Sequence, residues 1–201
     1  MANAIREEEL VIEEVEPDQY LVFNVKSQEF GFQAMRVQEI SRVLPITEVP
    51  NAPSYIDGVT NLRGRLATIM NFRGKFGFEP KENDEDTRTI VVELGGSPVG
   101  IIVDSVEEVV RIPDEMVQGM PTSTAGREVK EYMRGVGMLD SRLVILLDVD
   151  KVLTEAELAN LGEITQAIGK AEDPEQSTVD KGIDAVQQPA MGPPDTKRRK
   201  K

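Results

Sequence analysis

Apolar positions along this chain cluster in short runs closed by polar or glycine turns, the pattern of β-strands. Tyr20-Leu21-Val22-Phe23-Asn24-Val25 predicts a strand ended by Lys26-Ser27-Gln28. Thr89-Ile90-Val91-Val92-Glu93-Leu94 predicts another, closed by Gly95-Gly96, with Val99 to Val103 following at hairpin distance. Arg142-Leu143-Val144-Ile145-Leu146-Leu147 is continuously apolar after its arginine, as in a strand buried on both faces. One helix stands out. Thr154 and Glu157 form a capping box, and Leu158, Leu161, Ile164 and Ile168 follow at helical spacing, predicting a helix over 155–169.

The two halves of the chain resemble each other. Tyr55-Ile56-Asp57-Gly58-Val59 matches Tyr132-Met133-Arg134-Gly135-Val136 at an offset of 77, which also carries Leu62 onto Leu139, Leu66 onto Leu143 and Phe76 onto Leu153. Upstream, Phe30-Gly31-Phe32 matches Val99-Gly100-Ile101 at an offset of 69, so about eight residues are inserted between the blocks of the second unit. Short strands in two units of this size predict an all-β protein of two small barrels packed side by side, over roughly 19–85 and 86–156, with short helices and the C-terminal helix. Symmetric positions serve the shared scaffold; broken symmetry can mark a task. Where the first unit reads Asn61-Leu62-Arg63-Gly64, the second reads Met138-Leu139-Asp140-Ser141. Both suit a tight reversal. Only the first presents an arginine, a residue suited to bidentate contact with a partner's carboxylate, although a hairpin-tip arginine is also an ordinary surface residue.

Charge and composition narrow the chemistry. The net charge is −13 over 201 residues, with seven acids and one base in residues 1–19, which read as an acidic arm over 1–18. An acidic body does not suit phosphate backbones, and with 4% aromatic residues and no tryptophan there is little to stack on bases. The absence of cysteine and histidine excludes disulfides, the usual zinc sites and Cys or His catalysis. Asp148 and Asp150 alone make a poor metal site, and Glu107-Glu108 reads as a solvated face, so neither a metal nor a cofactor nor a catalytic residue is assigned. No run reaches the about 20 apolar residues of a membrane span, and no secretory signal opens the chain, so a soluble protein without membrane insertion is expected. Residues 170–201, rich in Pro, Gly and polar residues and ending Lys197-Arg198-Arg199-Lys200-Lys201, read as a disordered tail; its basic end also suits attraction to an acidic lipid surface.

Four ordered blocks carry a resemblance. Gly58-Val59-Thr60-Asn61-Leu62-Arg63-Gly64, Val37-Gln38-Glu39-Ile40, Val99 through Val106, and Gly135-Val136-Gly137 through Leu147-Asp148 together resemble the CheW-like family of chemotaxis coupling proteins over residues 18–156. The resemblance implies two five-stranded SH3-like barrels and a non-enzymatic adaptor. Its partners would be the cytoplasmic tip of methyl-accepting chemoreceptors and the regulatory domain of the histidine kinase CheA, with no nucleic acid. It implies a cytoplasmic protein recruited to receptor arrays, with receptor or kinase contacts at Val37, Glu39, Ile40, Gly58, Asn61, Arg63 and Gly64. Two departures stand out: Thr68 replaces the usual proline, and Asn71-Phe72-Arg73 replaces Asp-Leu-Arg. Service in a parallel pathway controlling pili or gliding is the near alternative, and a small-ligand β-barrel the distant one.

Overall fold

A computed structural model describes residues 16–119, 132–139, 142–154, 156–159 and 162. Most of the acidic arm and the whole of 170–201 therefore lie outside the described residues. Eleven strands form two sheets: β1 (Gln19–Val25), β2 (Gln28–Gln33), β3 (Val37–Arg42), β4 (Ile56–Leu62), β5 (Arg65–Asn71), β6 (Arg88–Leu94), β7 (Ser97–Val103), β8 (Ser105–Arg111), β9 (Val117–Gln118), β10 (Met133–Leu139) and β11 (Arg142–Leu147). A single helical turn, α1 (Phe72–Lys75), follows β5. Residues 156–159 and 162 are helical, and the remainder of the helix expected over 155–169 lies outside the described residues. Its capping box is formed: the Thr154 hydroxyl and amide both donate to Glu157 Oε2, at 2.9 and 2.7 Å.

One sheet has the order β8-β1-β2-β11-β10-β9 and the other β3-β6-β7-β5-β4. Each is curled but open at its ends in the backbone pairing among the described residues, rather than a closed five-stranded barrel, and the first gains a sixth strand in the two-residue β9. The division expected at residues 85 and 86 does not hold. The β1–β2 hairpin pairs with β8 and β11 of the second unit, while β6–β7 pairs with β3 and β5 of the first. The two units exchange their first hairpins. The reason lies in the connections: Asp104 alone separates β7 from β8, and a reversal needs at least two residues, so the chain runs on into the neighbouring sheet. Between β2 and β3 only the 3-10 turn Ala34–Arg36 intervenes.

The repeat is nonetheless expressed strand by strand. Phe30 pairs with Ile145 in one sheet as Val99 pairs with Thr68 in the other, both in parallel register. The eight-residue insertion falls in the β8–β10 connection, which runs 112–132 against 43–55 between β3 and β4.

The exchange creates a seam, and most of the core lies in it. Leu21, Phe23 and Val25 of β1 face a large cluster with Phe30, Phe32, Ile90, Val92, Ile101 and Leu147, whereas Tyr20 and Val22 face a smaller one with Ile112, Val144 and Leu146. Both faces of β1 are thus covered, which is why residues 20–23 and 25 are apolar regardless of the face they occupy. All six phenylalanines of the chain gather at the seam, with Phe72 0% exposed at its centre and rings of Phe23, Phe30 and Phe76 at 5.4, 4.9 and 4.2 Å. Burying each such ring contributes about 1.5–3 kcal/mol, so the seam holds the sheets together by apolar contact first.

Candidate functional site

The β4–β5 hairpin is closed by Arg63 and Gly64, with φ of 52° and 84°, the two positive values a two-residue reversal between twisted strands requires. Asn61 secures it from below, its Oδ1 accepting the Gly64 amide at 2.8 Å. The arginine is therefore presented on a short, stiff tip, 70% exposed. Its Nη2 lies 2.9 Å from Glu39 Oε2 on β3. β3 and β4 are the two outer strands of this sheet, so the sheet curls far enough for a tip on one edge to meet a carboxylate on the other.

All seven residues singled out in the sequence lie on β3 or on the β4–β5 hairpin, and four of them, Glu39, Asn61, Arg63 and Gly64, meet at the tip. Val37 and Ile40 occupy the same strand as Glu39 but are half-buried and pack against the seam core. Gly58 has a different task. At φ 148°, a Cβ there would sit 2.2 Å from the Thr47 carbonyl oxygen, because residues 45–47 lie against β4. Thr47 and Val59 exchange amide-to-carbonyl bonds of 2.8 and 2.9 Å, and the Thr60 hydroxyl donates to the Pro45 carbonyl at 2.7 Å. Gly58→Ala should therefore detach 45–47 and cost about 3 kcal/mol. Faster amide exchange at Thr47 and Val59, alongside a lowered denaturation midpoint, checks this; an unchanged Thr47 would refute it.

Beside Gly58 lies a cleft of about 490 Å³, lined by Ile46, Val49, Pro53 and Ile56 and by the carboxylates of Glu48 and Asp57. Burial pushes the Asp57 carboxyl above its usual range, partly offset by a hydrogen bond from Asn71 Nδ2 at 3.3 Å. That bond gives the Asn71-Phe72-Arg73 departure a rationale. Asn71 Oδ1 caps α1 through the Gly74 amide, as an aspartate would, while its amide group donates to Asp57, as an aspartate could not. Thr68 is equally explicable: it pairs with Val59 on one side and Val99 on the other, a central position where proline would cost a ladder bond.

Asp148 and Asp150 serve the chain itself. Asp148 Oδ1 accepts the Asp150 amide at 3.2 Å and its Oδ2 lies 3.1 Å from Lys151, while Asp150 pairs with Arg36. Among the described residues no three potential ligands gather to hold a metal, and no helix is long and apolar enough to cross a membrane.

Two polar clusters escape a reading of the sequence. Arg73 binds Asp104 through both nitrogens of its fork, the side chains 12% and 13% exposed. Lys75 binds Glu157 at 2.6 Å. Burial works against the ionised Glu157, but bonds from Lys75, Tyr55 and Thr154 outweigh it and lower its pKa to about 2. The capping box pointed to Glu157 only as a helix start, and nothing in the sequence pattern singled out Lys75.

A twin-sheet β-protein with a charged hairpin tip and half-buried flanking strand has the form of a binding scaffold. Comparison with known proteins agrees. The CheW-like domain model matches residues 19–157, and the chain belongs to that family. Chemotaxis protein CheW of Klebsiella aerogenes is 35% identical over 149 residues, covering 74% of this chain and 89% of its own. Chemotaxis protein CheW of Helicobacter pylori is 30% identical over 135 residues, covering 67% and 81%. The crystal structure of the scaffolding protein TtCheW from Thermoanaerobacter tengcongensis superposes with a TM-score of 0.62 at 27% identity, covering 68% of this chain and 92% of that one.

Proposed function

We propose that this chain is a chemotaxis scaffold that couples methyl-accepting receptors to the histidine kinase CheA, working in the cytoplasm by binding alone and catalysing no reaction. Family membership supports the scaffold role. The single observation that carries the site is the Arg63–Glu39 pair, an exposed arginine held on a two-residue reversal against a carboxylate from the opposite edge of its sheet. An exposed arginine on a stiff tip suits bidentate contact with a partner's carboxylate, and arginine is enriched among residues that anchor interfaces. Glu39, Asn61, Arg63 and Gly64 would form the contact surface, with Val37 and Ile40 supporting it from the core and Gly58 holding the adjoining cleft open. The basic side chains of a receptor tip or of the kinase regulatory domain would suit that cleft, whose lining is mixed and carries the carboxylates of Glu48 and Asp57.

The test is reconstitution. Full-length chain is mixed with a receptor cytoplasmic hairpin and CheA, complex formation is followed by gel filtration, and ATP turnover by the kinase is recorded. A ternary complex with altered turnover is expected. Binding to neither partner would overturn the reading.

A further inference from the structure

Lys75 ends α1 with its ammonium enclosed, the side chain only 6% exposed, and its neighbours come from three separate parts of the chain. Glu157 Oε1 lies 2.6 Å away, the Tyr55 ring centroid 4.5 Å and the Tyr132 ring centroid 5.5 Å. Tyr55 immediately precedes β4 in one sheet and Tyr132 immediately precedes β10 in the other. They are equivalents under the 77-residue offset, and each makes the same backbone contact: the Asn71 amide donates to the Tyr55 carbonyl and the Asp148 amide to the Tyr132 carbonyl, both at 2.8 Å. Lys75 therefore sits between two symmetric positions, one from each sheet.

The symmetry fails at Lys75 itself. The same offset places Val152 in its stead in the second unit, fully buried, as an apolar seam would have it. A charge in that place demands a counter-charge, and among the described residues of the two units none pairs with it. Glu157 does, from the segment beyond the repeat. It is held ready by the Thr154 cap, it accepts the Tyr55 hydroxyl as well, and Leu158 beside it packs on the seam core. An enclosed lysine whose carboxylate is withdrawn is left with an uncompensated charge in a low-dielectric setting. The apolar seam alone has no such dependence on the C-terminal segment.

The geometry points to the first turn of the C-terminal helix as a strap: Glu157 seated on Lys75 between Tyr55 and Tyr132 fixes one sheet against the other, and its release frees the sheets to change their relative angle. The strap stands independently of the coupling reading.

The absence of cysteine makes the test direct, since two introduced thiols carry spin labels without background. Arg65→Cys on β5 and Val109→Cys on β8, both exposed, place one label on each sheet of the full-length chain. The distance distribution is expected to be narrow in the parent and distinctly broader with Glu157→Gln. Tyr55→Phe, which removes only the hydroxyl contact to Glu157, should broaden it less. Lys75→Met combined with Glu157→Leu removes both charges and should return the width close to the parent's. Amide exchange at Asn71 and Asp148 should rise about tenfold in Glu157→Gln while β1–β2 amides stay protected. An unchanged width with faster exchange confined to 156–159 would make the helix a passenger and overturn the strap. Equal acceleration in β1 and β2 would make the pair ordinary core and overturn it too. If Glu157→Gln does not fold, Tyr55→Phe decides by the same criteria.

Discussion

Asp104→Ala is expected to lower stability by about 3–5 kcal/mol, read as a large fall in denaturation midpoint with little change in slope. Asp104 is the only residue between β7 and β8, at the point where the chain leaves one sheet for the other. Its carboxylate accepts both prongs of Arg73, with Nε to Oδ1 at 2.7 Å, and the Lys26 amide at 2.7 Å. Arg73 also donates to the Glu79 carbonyl at 2.6 Å. Burial disfavours the ionised Asp104, but Arg73 and Lys26 more than compensate and its pKa falls below the usual carboxylate range. Removing the carboxylate would strand a guanidinium 12% exposed beneath the surface, and the penalty comes chiefly from that stranded charge. Arg73→Lys should cost less but not nothing, because an ammonium cannot engage both oxygens of Asp104 in the same geometry. A loss below about 1 kcal/mol for Asp104→Ala, the scale of an exposed pair, would show that water replaces the contact freely.

Arg63→Glu should leave the fold intact and weaken partner binding by about 30-fold or more, the scale of an anchor residue worth at least about 2 kcal/mol. The side chain is 70% exposed at a hairpin tip, so the melting curve should move little. Circular dichroism beside the reconstitution assay separates the two effects. Combining Arg63→Glu with Glu39→Arg divides two roles. A pair that acts only as an internal strut would recover binding on exchange, whereas an arginine that itself touches the partner would not. The double exchange is expected to stay deficient. Full-strength binding by Arg63→Glu alone would remove this tip from the contact surface.

What could be read from the sequence follows from how local each feature is. The runs at 20–25, 89–94 and 142–147 became β1, β6 and β11 because strands with apolar residues on both faces announce themselves by composition alone, although Leu143 near the start of β11 is 62% exposed. The Thr154–Glu157 cap was equally plain, since its partners are three residues apart. The internal repeat was legible to the single pair, yet it suggested two self-contained halves. The exchange of hairpins depends on a one-residue connection at Asp104 and on which edges are vacant, and neither is written in the hydrophobic pattern. At the candidate site the hairpin tip was foreseen from its turn residues. Its contact with Glu39 was not, because that contact requires the curl of a whole sheet. Lys75 was the least visible: a lysine at the end of a short helix reads as solvated unless the chain beyond it is known to return.

The exchanged hairpins also set a timetable for biogenesis. β2 completes its ladder only with β11, so Phe30 leaves the ribosome long before Ile145 exists to pair with it. At translation rates of 5–20 residues per second the wait is roughly ten seconds, during which the outer edge of β2 has no partner strand. Nascent chains of this protein should therefore depend on holding chaperones until synthesis is nearly finished, and any truncation before β11 should be cleared as an aggregating fragment rather than persist as a half-working scaffold.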